Sequence, residues 1–119
     1  MVHQFMYLLV ATSDEFSIRS TAYNQVVVNE TLEFIENHVE NSPHQPFFAY
    51  AALGAVHLPH SPPDRYLDGS LIKGMYPTPH MDLLLEVDMA VGSLVNAIEA
   101  KGIASDTIII FTSDNGGLR

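Results

Sequence analysis

Cysteine is absent from the chain, which excludes a disulfide framework, a thiolate metal site and a cysteine nucleophile among these residues. The compartment stays open. Bases are scarce as well: five stand against fourteen acids, for a formal charge of -9, and Arg19, Arg65, Lys73, Lys101 and Arg119 are scattered rather than clustered. Nucleic acid and anionic membrane surfaces, which are met by basic patches, are therefore not expected partners. No apolar run is long enough for a membrane span. The opening stretch from Phe5 to Ala11 is too short for one, and His3 is a poor substitute for the basic start of a signal peptide. It reads as a strand or buried segment near Met6 to Val10, with a cryptic signal as the other reading. Repeats, low-complexity tracts and linkers are missing too, so residues 1–119 form a single unit.

What is present is globular in composition, with 47% hydrophobic and 16% charged residues. A chain of 119 residues is long enough for one core. Its elements alternate. Asn29 is placed to cap a helix running to about Glu40, in which Leu32, Ile35 and Val39 share a face, and Asn41-Ser42-Pro43 stops it. Pro46 to Ala52 reads as a buried strand. A long surface excursion from Leu53 to Thr78 carries Pro59, Pro62, Pro63 and Pro77 with His57 and His60, and long loops within domains are frequently functional. Thr78 as cap and Pro79 at the first helical position open a further helix, with Leu84, Val91, Leu94, Val95 and Ile98 as its apolar stripe. Lys101-Gly102 closes it. This rhythm predicts an α/β architecture with a parallel sheet.

The final segment carries the chemistry. Thr107 to Phe111 is a β-branched apolar run expected as a strand buried on both faces, and it delivers Asp114 and Asn115 to its carboxyl end. Ligands of parallel sheets sit at that end. Two side-chain oxygens suit a hard divalent cation, and Gly116-Gly117 allows a tight backbone turn beside it. The same four residues are also ordinary turn chemistry, so a plain strand exit stays open. The chain stops four residues after Asn115, and two confident strands leave uncovered edges. The expectation is a segment of a larger domain, with a small self-contained α/β domain as the alternative.

Three segments together resemble the sulfatase family of the alkaline-phosphatase-like superfamily. They are Gln45-Pro46-Phe47-Phe48-Ala49-Tyr50-Ala51-Ala52 followed by Ala55-Val56-His57-Leu58-Pro59; Glu86-Val87-Asp88-Met89-Ala90-Val91-Gly92-Ser93-Leu94; and Asp106 through Gly117. The likeness runs from about Thr31 to Gly117. It implies a fragment of a three-layer α/β fold with a mainly parallel sheet, so that residues 1–119 would be part of a sulfatase catalytic domain. It also implies hydrolysis of sulfate esters, of small molecules or of glycans, by a formylglycine nucleophile assisted by calcium. Carried over by position, Asp114 and Asn115 would be metal ligands, with Asp114 in a secondary role steering the nucleophile's proton. His57 would contact the sulfate and assist the departing alcohol. His60 competes for that role, but the Val-His-x-Pro form favours His57. An imidazolium can bond to an anionic ester and then donate its proton near neutral pH.

Other residues have plainer readings. Asp88 fits a capping or packing role inside its helix, and Asn29-Glu30-Thr31 is both a glycosylation sequon and a helix start. Ser61-Pro62-Pro63-Asp64-Arg65 has the outline of the family's nucleophile motif but lies after the His57 loop and reads as coincidence. The nucleophile motif and the family's aspartate pair are expected upstream of residue 1, and its lysine beyond residue 119. Calcium takes six to eight oxygens, so Asp114 and Asn115 alone predict millimolar binding or worse, and the chain by itself is expected to be inactive. The alternatives are a phosphodiesterase or phosphatase of the same superfamily, and a non-catalytic remnant. Family likeness leans toward an exported or lumenal protein.

Overall fold

The computed structural model describes residues 6–9 and 23–115. Phe5, Val10, Ala11 and the Gly116-Gly117 pair of the sequence reading lie outside them. Strand β1 (Met6–Leu9) pairs in parallel with β2 (Phe47–Tyr50), Met6 opposite Phe47 and Leu9 opposite Tyr50. Helix α1 (Tyr23–Asn41) lies between them in sequence, and helix α2 (Pro79–Ala100) follows. This is the α/β order expected, and the opening segment is a strand. No helix among the described residues is long and apolar enough to cross a membrane.

Helix α1 begins six residues before the expected start, so Asn29 does not cap it; Asn29 is an exposed residue within the helix. Val26-Val27-Val28 is a β-branched run, stiff at χ1 and weak in helix propensity. Burial decides the outcome, because Tyr23, Val27, Val28 and Ile35 are all buried on one side of α1. At the other end His38 Nε2–H donates to the Gln45 carbonyl at 2.7 Å. The His38 ring also contacts Phe34 and Phe47, and those two phenyl rings meet edge to face at 5.7 Å. This aromatic group fixes the end of α1 to the start of β2.

Strand β2 is shorter than the Pro46 to Ala52 reading and is not buried on both faces. Phe47 and Ala49 are half-buried while Phe48 and Tyr50 are exposed. The alternation follows from the period of two, with Phe47 on the side that meets α1.

Helix α2 begins and ends as its sequence dictates. Thr78 Oγ1 accepts from the Met81 N–H with Pro79 at the first position. At the far end Gly102, at φ 70°, donates to Glu99 O while Ile103 N–H reaches back to Ile98 O. That is the Schellman closure, which needs a residue tolerant of the left-handed region. The buried face is rotated from the expected stripe: Leu83, Glu86, Ala90 and Ile98 are buried, Val91, Leu94 and Val95 are half-buried, and Leu84 is 49% exposed. The helix turns this side inward because both α1 and the preceding loop pack on it, through Glu86 to Asn24 and through Ser93 to Tyr66.

The later half of the loop between β2 and α2 is anchored in two places. Residues 64–72 fold into a small hairpin with Arg65 bridged to Leu71 and with Tyr66 and Ile72 buried. Asp82, in the first turn of α2, is buried and accepts from the N–H groups of Gly74 and Tyr76.

One expectation fails outright. Thr107 leaves a short 3-10 turn (Ala104–Asp106) with extended backbone, but residues 107–111 join no sheet among the described residues. Ile108 is 89% and Phe111 70% exposed. A strand is defined by the neighbour that satisfies its backbone, and none flanks this segment among the described residues. Its β-branched composition supplied the signal without the context.

Candidate functional site

The chain leaves the carboxyl end of β2 at Tyr50 and enters a tight loop from Ala51 to His60. This is the end of a parallel strand at which ligands are bound. Cis peptide bonds stand at Ala55-Val56 and Leu58-Pro59. His57 N–H donates to the Gly54 carbonyl at 2.9 Å, which closes the turn. The His57 side chain is exposed, and its Nδ1–H donates to the Leu58 carbonyl at 2.6 Å. That bond selects the tautomer: Nδ1 carries the proton and Nε2 is the acceptor in the neutral ring. On protonation Nε2 becomes a second donor, suited to an anionic oxygen.

The base of the loop is tied to both helices. Asn24, buried in the first turn of α1, accepts through Oδ1 from Gly54 N–H at 2.8 Å and Ala55 N–H at 3.1 Å. Because those partners are both donors, the orientation of the carboxamide is fixed, and Nδ2 donates to Glu86 Oε2 of α2 at 2.8 Å. Glu86 is fully buried, and its Oε1 has no hydrogen-bond partner among the described residues. Burial pushes its carboxyl above the ordinary glutamate range, with the Asn24 bond pulling the other way. Tyr66 lies close by and donates its O–H to Ser93 Oγ, which in turn donates to the Met89 carbonyl. Burial raises the Tyr66 phenol, and the Glu86 charge adds to that.

The other sequence-predicted residues lie elsewhere. Asp114 and Asn115 are exposed, and Asn115 N–H donates to Asp114 Oδ1 at 2.8 Å while the Ser113 hydroxyl donates to the Asn115 carbonyl. Among the described residues no hydrogen bond or ion pair joins them to His57, and no three His, Asp or Glu side chains converge as a metal-holding group. The donor chemistry of Asp114 and Asn115 suits a hard cation, but two side chains supply only part of its usual shell. His60 has a different partner from His57: its Nε2 lies 3.4 Å from His80 Nδ1, beside a cleft of about 540 Å³ that Lys73, Tyr76 and Asp82 also line. Asp88 is exposed on α2. Sequence reasoning did not single out Asn24 or Glu86. The available signal was a carboxylate at helical spacing from Leu83 and Ala90, on a face that should be apolar.

Comparison with known proteins follows the same residues. The Sulfatase family model matches residues 5–119, which carries the likeness back through β1 and α1. The chain is 32% identical over 93 residues to N-acetylgalactosamine-6-O-sulfatase of Bacteroides thetaiotaomicron, covering 76% of this chain and 16% of that protein. It is 36% identical over 92 residues to N-acetylgalactosamine-6-sulfatase of Sus scrofa, again 16% of the relative's length, and 39% identical over 72 residues to human arylsulfatase A, covering 60% of this chain and 13% of that one. The chain thus spans about a sixth of the length of the curated relatives it matches. No solved structure matches it significantly. With a family model covering the chain from residue 5 onward and relatives identical at about a third of the 92 to 93 aligned residues, this α/β chain belongs to the sulfatase family.

Proposed function

We propose that residues 1–119 form part of the catalytic domain of a sulfate-ester hydrolase, within a three-layer alkaline-phosphatase-like fold. The carrying observation is the His57 loop, placed at the carboxyl end of β2 with Nδ1 already committed to the Leu58 carbonyl. A protonated His57 would hold a sulfate oxygen through Nε2–H and pass that proton to the departing alcohol, as the S–O bond to the alcohol breaks. Proton transfer from a placed imidazole contributes about 10²- to 10⁴-fold in rate. Asp114 and Asn115 are the proposed ligands of a divalent cation, calcium by the family likeness, which would offset negative charge on the sulfate.

The substrate class follows from the relatives' names, which specify a 6-sulfated amino sugar and aryl sulfates. A sulfate ester of a sugar or a phenol is the proposed substrate. The phosphoesterase alternative is not favoured, since the relatives are sulfatases.

The test is turnover of an aryl sulfate by the native protein and its His57→Ala variant. The expected result is a loss of kcat of about 10²-fold or more with a smaller change in KM. Full turnover without the imidazole would overturn the assignment. His60→Ala serves as the comparison and is expected to retain most activity.

A further inference from the structure

We infer that Asn24 and Glu86 are positioning residues that hold the His57 loop in register with the sheet, a role that rests on the sulfate-ester reading above. The geometry is a three-part tether. Glu86 Oε2 on α2 accepts from Asn24 Nδ2 on α1, and Asn24 Oδ1 accepts from the consecutive amides of Gly54 and Ala55. The Gly54 carbonyl then receives the His57 N–H. From the buried carboxyl to the histidine backbone the path runs through hydrogen bonds, the Asn24 carboxamide and the Gly54-Ala55 peptide. Each partner is named and each distance lies within 3.1 Å.

Stability alone does not account for a carboxyl at this place. Glu86 sits on the buried face of α2 with Leu83 and Ala90, and its buried Oε1 has no hydrogen-bond partner among the described residues. An unpaired buried oxygen is costly, and an apolar side chain of similar volume is commonly neutral or stabilising at such positions. What an apolar side chain would not do is accept from Asn24. Without that acceptor the carboxamide keeps only the two loop amides as partners and loses its tie to α2, so Asn24 and the loop amides it gathers are freer to move together. The buried carboxyl therefore orients Asn24, and Asn24 orients the loop.

Hydrogen–deuterium exchange on the native protein, read on the peptide that includes Gly54 and Ala55, tests this together with aryl-sulfate kinetics. In Glu86→Met, which keeps the bulk and removes the acceptor, exchange of the loop peptide is expected to rise about tenfold and kcat to fall about tenfold, with KM little changed. Exchange of the peptide covering residues 90–100 should stay as it was and the melting temperature should hold or rise, a combination that loss of a merely structural contact does not give. Glu86→Gln, which can still accept from Asn24, should restore loop exchange and kcat to within about twofold. Asn24→Ser, which shortens the side chain, provides a second route should Glu86→Met fail to fold, and the same rise in loop exchange is expected. Loop exchange unchanged in a folded Glu86→Met or Asn24→Ser protein would overturn the tether, whatever His57→Ala does. Faster loop exchange in a protein whose His57→Ala variant retains turnover would instead overturn the catalytic reading of the loop, and the positioning role with it.

Discussion

Glu86 is a single side chain whose protonation is coupled to the stability of the described structure. Its carboxyl is raised by burial, so the folded chain holds that proton more tightly than the unfolded chain does. The contribution of Glu86 to stability is then fully present below the ordinary carboxylate range and is lost as pH rises through the raised folded value. Glu86→Gln removes this dependence. The expected outcome is a melting temperature that gains more from the substitution at neutral pH than at acid pH, checked by thermal unfolding across that range. Thr78 gives a second expectation at this scale. Its hydroxyl accepts from the Met81 N–H at the start of α2, and Thr78→Ala should cost about 1 kcal/mol in denaturant unfolding. Thr78 was legible in the sequence because a cap followed by proline is a local signal. Asn24 was not: its partners stand 30, 31 and 62 residues away along the chain, and nothing local marks a carboxamide that will be buried.

Elements show the same division between local and distant causes. Both ends of α2 came directly from sequence, since Thr78-Pro79 and Lys101-Gly102 act within one turn. Gly102 sits at φ 70°, and Gly102→Ala is expected to destabilise the chain by about 1 kcal/mol through left-handed strain, measured by urea unfolding. The start of α1 was hidden, because burial of Val27 and Val28 outweighs the weak helix propensity of a valine run. The inward face of α2 was hidden for a related reason: periodicity finds an apolar stripe, but the neighbours decide which flank of it goes inside. The two helices also meet at a charged contact, where Lys101 lies 2.8 Å from Glu36 and 3.6 Å from Glu40. The lysine holds the Glu36 carboxyl below the ordinary range. These groups are open to water, so Lys101→Met should shift the melting temperature only slightly, and less still in high salt.

For the molecule as a whole, the proportions are those of an open structure. The radius of gyration is 15.5 Å, against about 13 Å for a compact domain of about 100 residues. The exposed run from Ile108 to Phe111 contributes four large apolar side chains without a charge among them, and Phe48 and Tyr50 add to the exposed apolar surface on β2. Such runs drive association. The 119-residue polypeptide is expected to self-associate at micromolar concentration, and Ile108→Lys with Ile110→Lys to shift it toward monomer in sedimentation velocity. The same surface explains why the site was only partly legible. The role proposed for His57 rests on a loop motif that is local in sequence, whereas the metal-binding role proposed for Asp114 and Asn115 needs a strand end that the described residues do not build.

The Ile108–Phe111 run has a further consequence for the life of the polypeptide in a cell. Extended apolar segments of this kind are what holdase chaperones and quality-control proteases grip, so any species in which the run stays uncovered is expected to be cleared faster than the strength of its core alone would predict. A substitution that leaves every contact of α1 and α2 intact can therefore lengthen or shorten the protein's half-life through those four residues alone.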